Sequence, residues 1–393
     1  MSVQKNEKDK KQRSISIINT IFLYISTVSI FNVILLSIEY FYPLISVFGS
    51  LILLFLVFIV FKIRVVRERG VFSLLFLVII LLAIFFRISP NLYLTGGQDQ
   101  GSYVSLSKQY EINHSLYIKD ELRESLSDVT KRIYDKGNVF TGLKPYDKDN
   151  SEYIIPFYPV FPSWMSIFGS FFGSDNRIYA LTMFSLLSIV SVYLFSYEIS
   201  NRNKKVALIT SFFLAINPLH VYFSKTPVTE VISITFLFYA LYLIVKFFND
   251  SKSNKYFVSY LVLSIISFVS LFLTRMSAIF FLPLIILLPI ISNLFLEDKK
   301  QSIYYLIYSF SWIILFLLSY FYYYLSLPQI FDLIVGKRLL GYVNIETISI
   351  SLFSIPVLVY ILLKFDRSRF FLKNIIIFFK KNLYILSILT FLG

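Results

Sequence analysis

The sequence contains no cysteine, so it can form neither a disulfide nor a thiolate metal site. Histidine is nearly as scarce. His114 and His220 are the two in 393 residues, too few for a histidine-rich metal centre. Charged residues make up only 15% of the chain, and no glycine-rich phosphate loop joins a strand to a helix. That missing loop argues against a nucleotide-binding unit of the strand–loop–helix kind. The apolar runs also lack polar–apolar alternation, which argues against an outer-membrane barrel.

What fills the chain instead is apolar side chain, 57% of residues, with a mean hydropathy of +0.72. A soluble domain cannot hide that much, so the expected class is an all-α integral membrane protein, a polytopic helical bundle. Crossing as a helix takes about 17 to 25 apolar residues. Such runs are read at Ile15 to Leu36, Leu44 to Phe61, Val71 to Phe86, Ile178 to Ile199, Val206 to Tyr222, Val231 to Phe248 and Phe257 to Thr274. Further runs lie at Ala278 to Leu296, Ile303 to Leu325 and Ile345 to Leu363. The formal charge of +14 fits a basic inner face against anionic membrane lipid rather than nucleic acid.

Orientation follows from the positive-inside rule. The lysine-rich segment before Ile15 and the tight loop with Lys62, Arg64, Arg67 and Arg69 are expected to be cytoplasmic. The N-terminus then lies inside and Asn91 to Tyr153 outside, in what is expected to be the plasma membrane. That long loop carries ten acids against eight bases, unlike the basic inner loops. Residues 1–70 are read as a basic tail with an extra transmembrane pair. Residues 71–393 form the main module, including an extracytoplasmic loop, 88–175, that carries short helices. Within the loop, Pro156, Pro159 and Pro162 are expected to bar a helix until about Met165. Met165 to Phe172 would then lie along the outer interface, with Tyr158 and Trp164 at home there. After Lys380 and Lys381 only NLYILSILTFLG remains, too short to cross, so the sequence is expected to stop inside a span with C-terminal material lost.

Polar groups at membrane depth gather on the outer side. Asp99, in TGGQDQGSYVSLSKQY, sits on a turn with Gly96, Gly97 and Gly101, where backbone can approach a ligand closely. Asp99 reads as a catalytic base or as an ordinary turn former. The turn NPLHVYFSKTPVTE brings His220, Lys225 and Glu230 to the same side. Lys225 also reads as a snorkelling lysine, Glu230 as a helix-start acid, and His220 as a satisfied interfacial histidine. Arg275, in FLTRMSAIFFLP, presents a planar fork suited to phosphate oxygens, or to lipid headgroups. Lys337 and Arg338 repeat that signal more weakly.

Taken in order, GGQDQGSY, FYPVFPSWMSIFG, NPLHVYFSKTPVTE and LTRMSAIFFLP resemble the GT-C superfamily of membrane glycosyltransferases. The likeness leans toward the branch of protein O-mannosyltransferases and lipid A aminoarabinose transferases, and covers about Val71 to Leu296. It implies a GT-C bundle and an inverting transfer from a polyprenyl-phosphate sugar donor to a lipid, glycan or protein acceptor. Asp99 would be the general base, and Arg275 with Lys225 would hold the donor phosphate. Glu230, Tyr103, Tyr158 and His220 would line the substrate cavity. The family often has a second acid beside the first. Here that neighbour is Gln100, so no cofactor is assigned, although a divalent cation is compatible. The family's Ser-Arg-x-x-x-x-Asp turn appears here as Ser224, Lys225 and Glu230. The competing readings are a transporter or flippase, or a polymerase, of lipid-linked glycans.

Overall fold

The computed structural model describes residues 13–67, 71–88, 99–136, 144–147, 151–155, 157–250, 258–275 and 278. The chain divides into two compact units, Met1–Met276 and Ser277–Gly393, and every helix and strand described belongs to the first. The spans expected from Ala278 onward, Lys337, Arg338 and the Gly96–Gly97 turn lie outside the described residues.

Helix α1, Ile17–Ser37, begins where the Ser16 hydroxyl accepts the Asn19 amide at 3.2 Å. That bond satisfies one of the donors a helix start leaves open. Helix α2, Pro43–Val60, opens on a proline, whose missing N–H costs nothing in the first turn. Helix α3, Leu74–Arg87, is capped by Ser73. Among the described residues, four helical stretches are long and apolar enough to cross a membrane: Ile17–Ser37, Pro43–Val60, Ser174–Ile199 and Glu230–Phe247. Leu74–Arg87, Val160–Phe172 and Ser259–Phe272 are apolar but shorter.

Beyond α3 come α4, Asp99–Asn113, and a small subdomain. The latter holds β3 (Tyr117–Lys119), α5 (Glu121–Ser125), α6 (Asp128–Lys136), β4 (Lys144–Asp147) and β5 (Glu152–Ile154). Its strands pair antiparallel in the order β3-β5-β4. A second, parallel pair joins β1 (Arg13–Ser16) to β2 (Ile63–Val66). The described residues are therefore mostly helical but not all-α, which corrects the expected class in detail. The strands are three or four residues long, below what apolar patterning can reveal.

Helix α7, Val160–Phe172, corrects the proline reading. Pro159 is its N-cap and Pro162 falls in the first turn, where no intrahelical donor is needed. Nor is Trp164 exposed toward lipid headgroups. It is buried, and its indole Nε1 donates to the Ser29 hydroxyl of α1 at 2.9 Å. The Asn32 amide donates to Ser163 at 2.8 Å and accepts from Ser46 of α2, so three helices are tied at one point.

The bundle proper is α1 with α8 (Tyr179–Ile199), α9 (Lys204–Ile216), α11 (Glu230–Asp250) and α12 (Val258–Phe272). Phe22 of α1 stacks on Tyr239 of α11 at 3.9 Å, and the Tyr239 hydroxyl donates to Asn19 at 3.0 Å. Small hydroxyl residues let helices approach. Thr235 donates to the Phe184 carbonyl at 2.7 Å, and Ser267 to that of Phe236 at 2.9 Å. Each such bond is worth about 0.6 kcal/mol in lipid, so the fold rests on many of them plus packing. By contrast α2 leaves Leu51, Ile52, Phe55 and Ile59 exposed, a surface suited to lipid. The span expected at Val206 to Tyr222 is broken. Asn217 ends α9 and caps the short α10, Pro218–Phe223, accepting the His220 amide at 2.9 Å, with Pro218 opening the new helix.

Candidate functional site

Asp99 is the first residue of α4, with its side chain exposed and no hydrogen bond among the described residues. A carboxylate there is favoured by the positive end of the helix dipole. Four residues on, Tyr103 is buried between Phe157 and Phe161, whose rings meet it edge-on at 4.6 and 5.3 Å. The proline-rich segment thus walls one side. Tyr158 is buried in that same segment.

Tyr103 reports what surrounds it. Burial raises its pKa, the Thr229 side chain hydrogen-bonds to it, and the charges of Asp99, Glu230 and Arg275 all act on it. The phenol therefore stays protonated at neutral pH. Charged residues from three separate stretches of sequence thus lie within electrostatic range of it.

Glu230 opens α11 and Arg275 follows the end of α12, its amide donating to the Leu271 carbonyl at 2.9 Å. The acid at a helix start and the base at a helix end both suit their dipoles. They meet at 2.8 Å, Arg275 Nη1 to Glu230 Oε1. Both side chains remain a third or more exposed, 41% and 33%, so the pair contributes at most about 1 kcal/mol and breaks readily. Glu230 Oε2 is buried with no hydrogen-bond partner in the described structure. Lys225 is half-buried in the turn after α10, and its ammonium forms no ion pair among the described residues.

His220 lies elsewhere. It is buried, with Nδ1 2.8 Å from Arg87 Nη2 and Nε2 2.9 Å from the Ser188 hydroxyl. Both ring nitrogens are consumed in the bundle interior. That leaves the histidine no polar atom for a substrate.

What holds α4 in place went unnoticed in the sequence. Arg177, buried ahead of α8, donates to the Ser107 hydroxyl at 2.7 Å, to Ser174 Oγ at 3.0 Å and to Glu111 Oε2 at 3.2 Å. Ser166 of α7 donates to the Ser107 carbonyl. Gly169 makes this approach feasible, since a Cβ there would stand 2.4 Å from Glu111 Oε1. Burial raises the Glu111 pKa above 4.5 despite Arg177 beside it. The sequence signal for Arg177 and Arg87 was a lone arginine at the edge of an apolar run.

No family model and no curated protein matches the chain. Among solved structures, the oligosaccharyltransferase of Archaeoglobus fulgidus in its apo form is similar, at 16% identity and a TM-score of 0.50, over 76% of this chain and 34% of that one. The same enzyme in complex with Zn and sulfate gives 16%, 0.51, 76% and 36%. The chain thus spans about a third of the length of the solved chains it matches. The likeness is one of fold alone, and does not single out the branch expected from the sequence.

Proposed function

We propose that the chain is an inverting glycosyltransferase that moves a sugar from a polyprenyl-phosphate-linked donor to an acceptor at the extracytoplasmic face. The observation that carries the reading is the convergence of Asp99, Glu230 and Arg275 around Tyr103, an acid–base–cation set at the end of an apolar bundle. The GT-C fold likeness agrees with it. Asp99 accepts the proton of the incoming hydroxyl or amine as that atom attacks the anomeric carbon. The bond from that carbon to the phosphate oxygen breaks with inversion. Arg275, released from Glu230 and supported by Lys225, takes the charge growing on the leaving phosphate. Glu230 Oε2 is a spare acceptor for a sugar hydroxyl. No three His, Asp or Glu side chains group together among the described residues.

The test is transfer in isolated membranes from a radiolabelled polyprenyl-phosphate sugar. Label moves from lipid to acceptor with the native protein and stays on the lipid with Asp99→Asn. Label that changes leaflet on an intact donor would make the protein a transporter, and an Asp99→Asn variant of full activity would remove the base.

A further inference from the structure

Arg87 is the last residue of α3 and is fully buried. No acid pairs with it among the described residues; neutral acceptors solvate it instead. Nη1 donates to the carbonyls of Ala83 at 3.0 Å and Ala215 at 2.9 Å, Nε donates to the Ser185 hydroxyl, and Nη2 faces His220 Nδ1 at 2.8 Å. Guanidinium has donors only, so Nδ1 must be the unprotonated acceptor. The proton then sits on Nε2 and is donated to Ser188 Oγ, 2.9 Å away, while that hydroxyl donates to the Ser185 carbonyl at 2.7 Å. The chain of donors and acceptors closes with His220 neutral and in one tautomer.

The network ties together α3, α8, α9 and α10. From its Arg87 end the chain runs on through Ile88, whose carbonyl accepts from Tyr179 at 3.1 Å, to Asp99 twelve positions later. From its His220 end the chain reaches Lys225 and then Glu230, ten positions on. The break at Asn217–Pro218 leaves the backbone of α10 uncoupled from α9, so α10 needs a side-chain anchor to hold its direction.

We propose that Arg87 and His220 are positioning residues, a buried clamp that fixes α10 against α3 and so aligns the Lys225–Glu230 turn with the segment bearing Asp99. The clamp matters to catalysis only if the Asp99 cluster is the reaction site. Its existence can be tested without a substrate, so the two readings fail separately.

The absence of cysteine makes site-specific spin labelling clean. Labels at Lys108→Cys on α4 and Leu219→Cys on α10, both exposed positions, report the distance between those helices by pulsed electron resonance. Two substitutions separate the clamp from folding in general. Asparagine places its amide oxygen where Nδ1 stands and keeps the bond to Arg87, whereas glutamine mimics Nε2 and loses it. His220→Asn should give the native distance distribution, and His220→Gln a broader or shifted one at similar folded yield. A clamp released by that much should also cost transfer about 10²-fold in turnover in His220→Gln, with recovery in His220→Asn. Native distributions in both variants, or equal broadening in both, would overturn the clamp.

Discussion

Two arginines set the terms of this molecule. Arg87 is wholly buried, and four neighbouring groups engage its Nε, Nη1 and Nη2. Arg275 is 41% exposed and spends a single Nη1 on one carboxylate. A guanidinium whose donors are committed to backbone carbonyls and hydroxyls can only hold structure. One that commits a single donor and stays partly exposed, against a partner it can leave, is free to bind an oxyanion. Charge alone does not separate these roles; the number of committed donors does.

The contrast between the two arginines can be broken in several ways. Asp99→Asn, in the same cluster as the open arginine, should lower transfer by about 10²- to 10⁴-fold with melting unchanged. Arg87→Met should do the reverse in kind, since it strips partners from His220, Ser185 and two carbonyls at about 1–3 kcal/mol for each group left unsatisfied. Thermal melting in detergent should fall by several degrees. Arg275→Ala should leave melting within about 0.5 kcal/mol of native, as exposed sites do, while raising the donor KM about tenfold. An Arg275 variant that melts like the Arg87 variant would erase the distinction.

Smaller effects probe the seat of α4. Gly169→Ala gains about 1 kcal/mol of helix propensity but pushes a methyl against Glu111 and Arg177, a clash costing about 1–3 kcal/mol. Net destabilisation of about 1 kcal/mol is expected in a melting scan. The smallest effect concerns Glu111. Because burial raises its pKa in the fold, the stability tied to its proton is fully present below the ordinary carboxylate pKa of 4.5 and is lost as pH rises through the folded value. Glu111→Gln should therefore melt higher than native at neutral pH, by about 1 °C, with the gap closing on acidification. A gap that widened instead would mean that the pair with Arg177 outweighs burial.

Apolar run length brought out the helices well, because spans such as α1, α8 and α11 need only composition to be seen. It could not find the break at Asn217, since Asn-Pro also occurs at helix starts and the flanking residues stay apolar. Nor could it tell that α7 packs inside, because Trp164 carries the same amphipathic signature at an interface as beneath α1. In the site, Asp99, Glu230 and Arg275 were legible as polar residues where a lipid-facing chain should have none. His220 stayed open between a satisfied histidine and a cavity residue for the same reason. A buried histidine and a catalytic one look alike until Arg87, 133 residues away in sequence, is seen against it. That Phe157 and the Thr229 side chain both meet Tyr103 was invisible, because those contacts join residues far apart in sequence.

The central claim is that a lipid-linked phosphate binds where Arg275 meets Glu230, within reach of Asp99. Photolabelling with a polyprenyl phosphate carrying a diazirine on its first isoprene unit tests it most directly. The account predicts adducts on the segments flanking Thr229–Glu230 and Thr274–Arg275, lost on competition with unlabelled polyprenyl phosphate. Competable adducts confined to the opposite end of the bundle, around the Glu198–Arg202–Asp250 pairs, would contradict it.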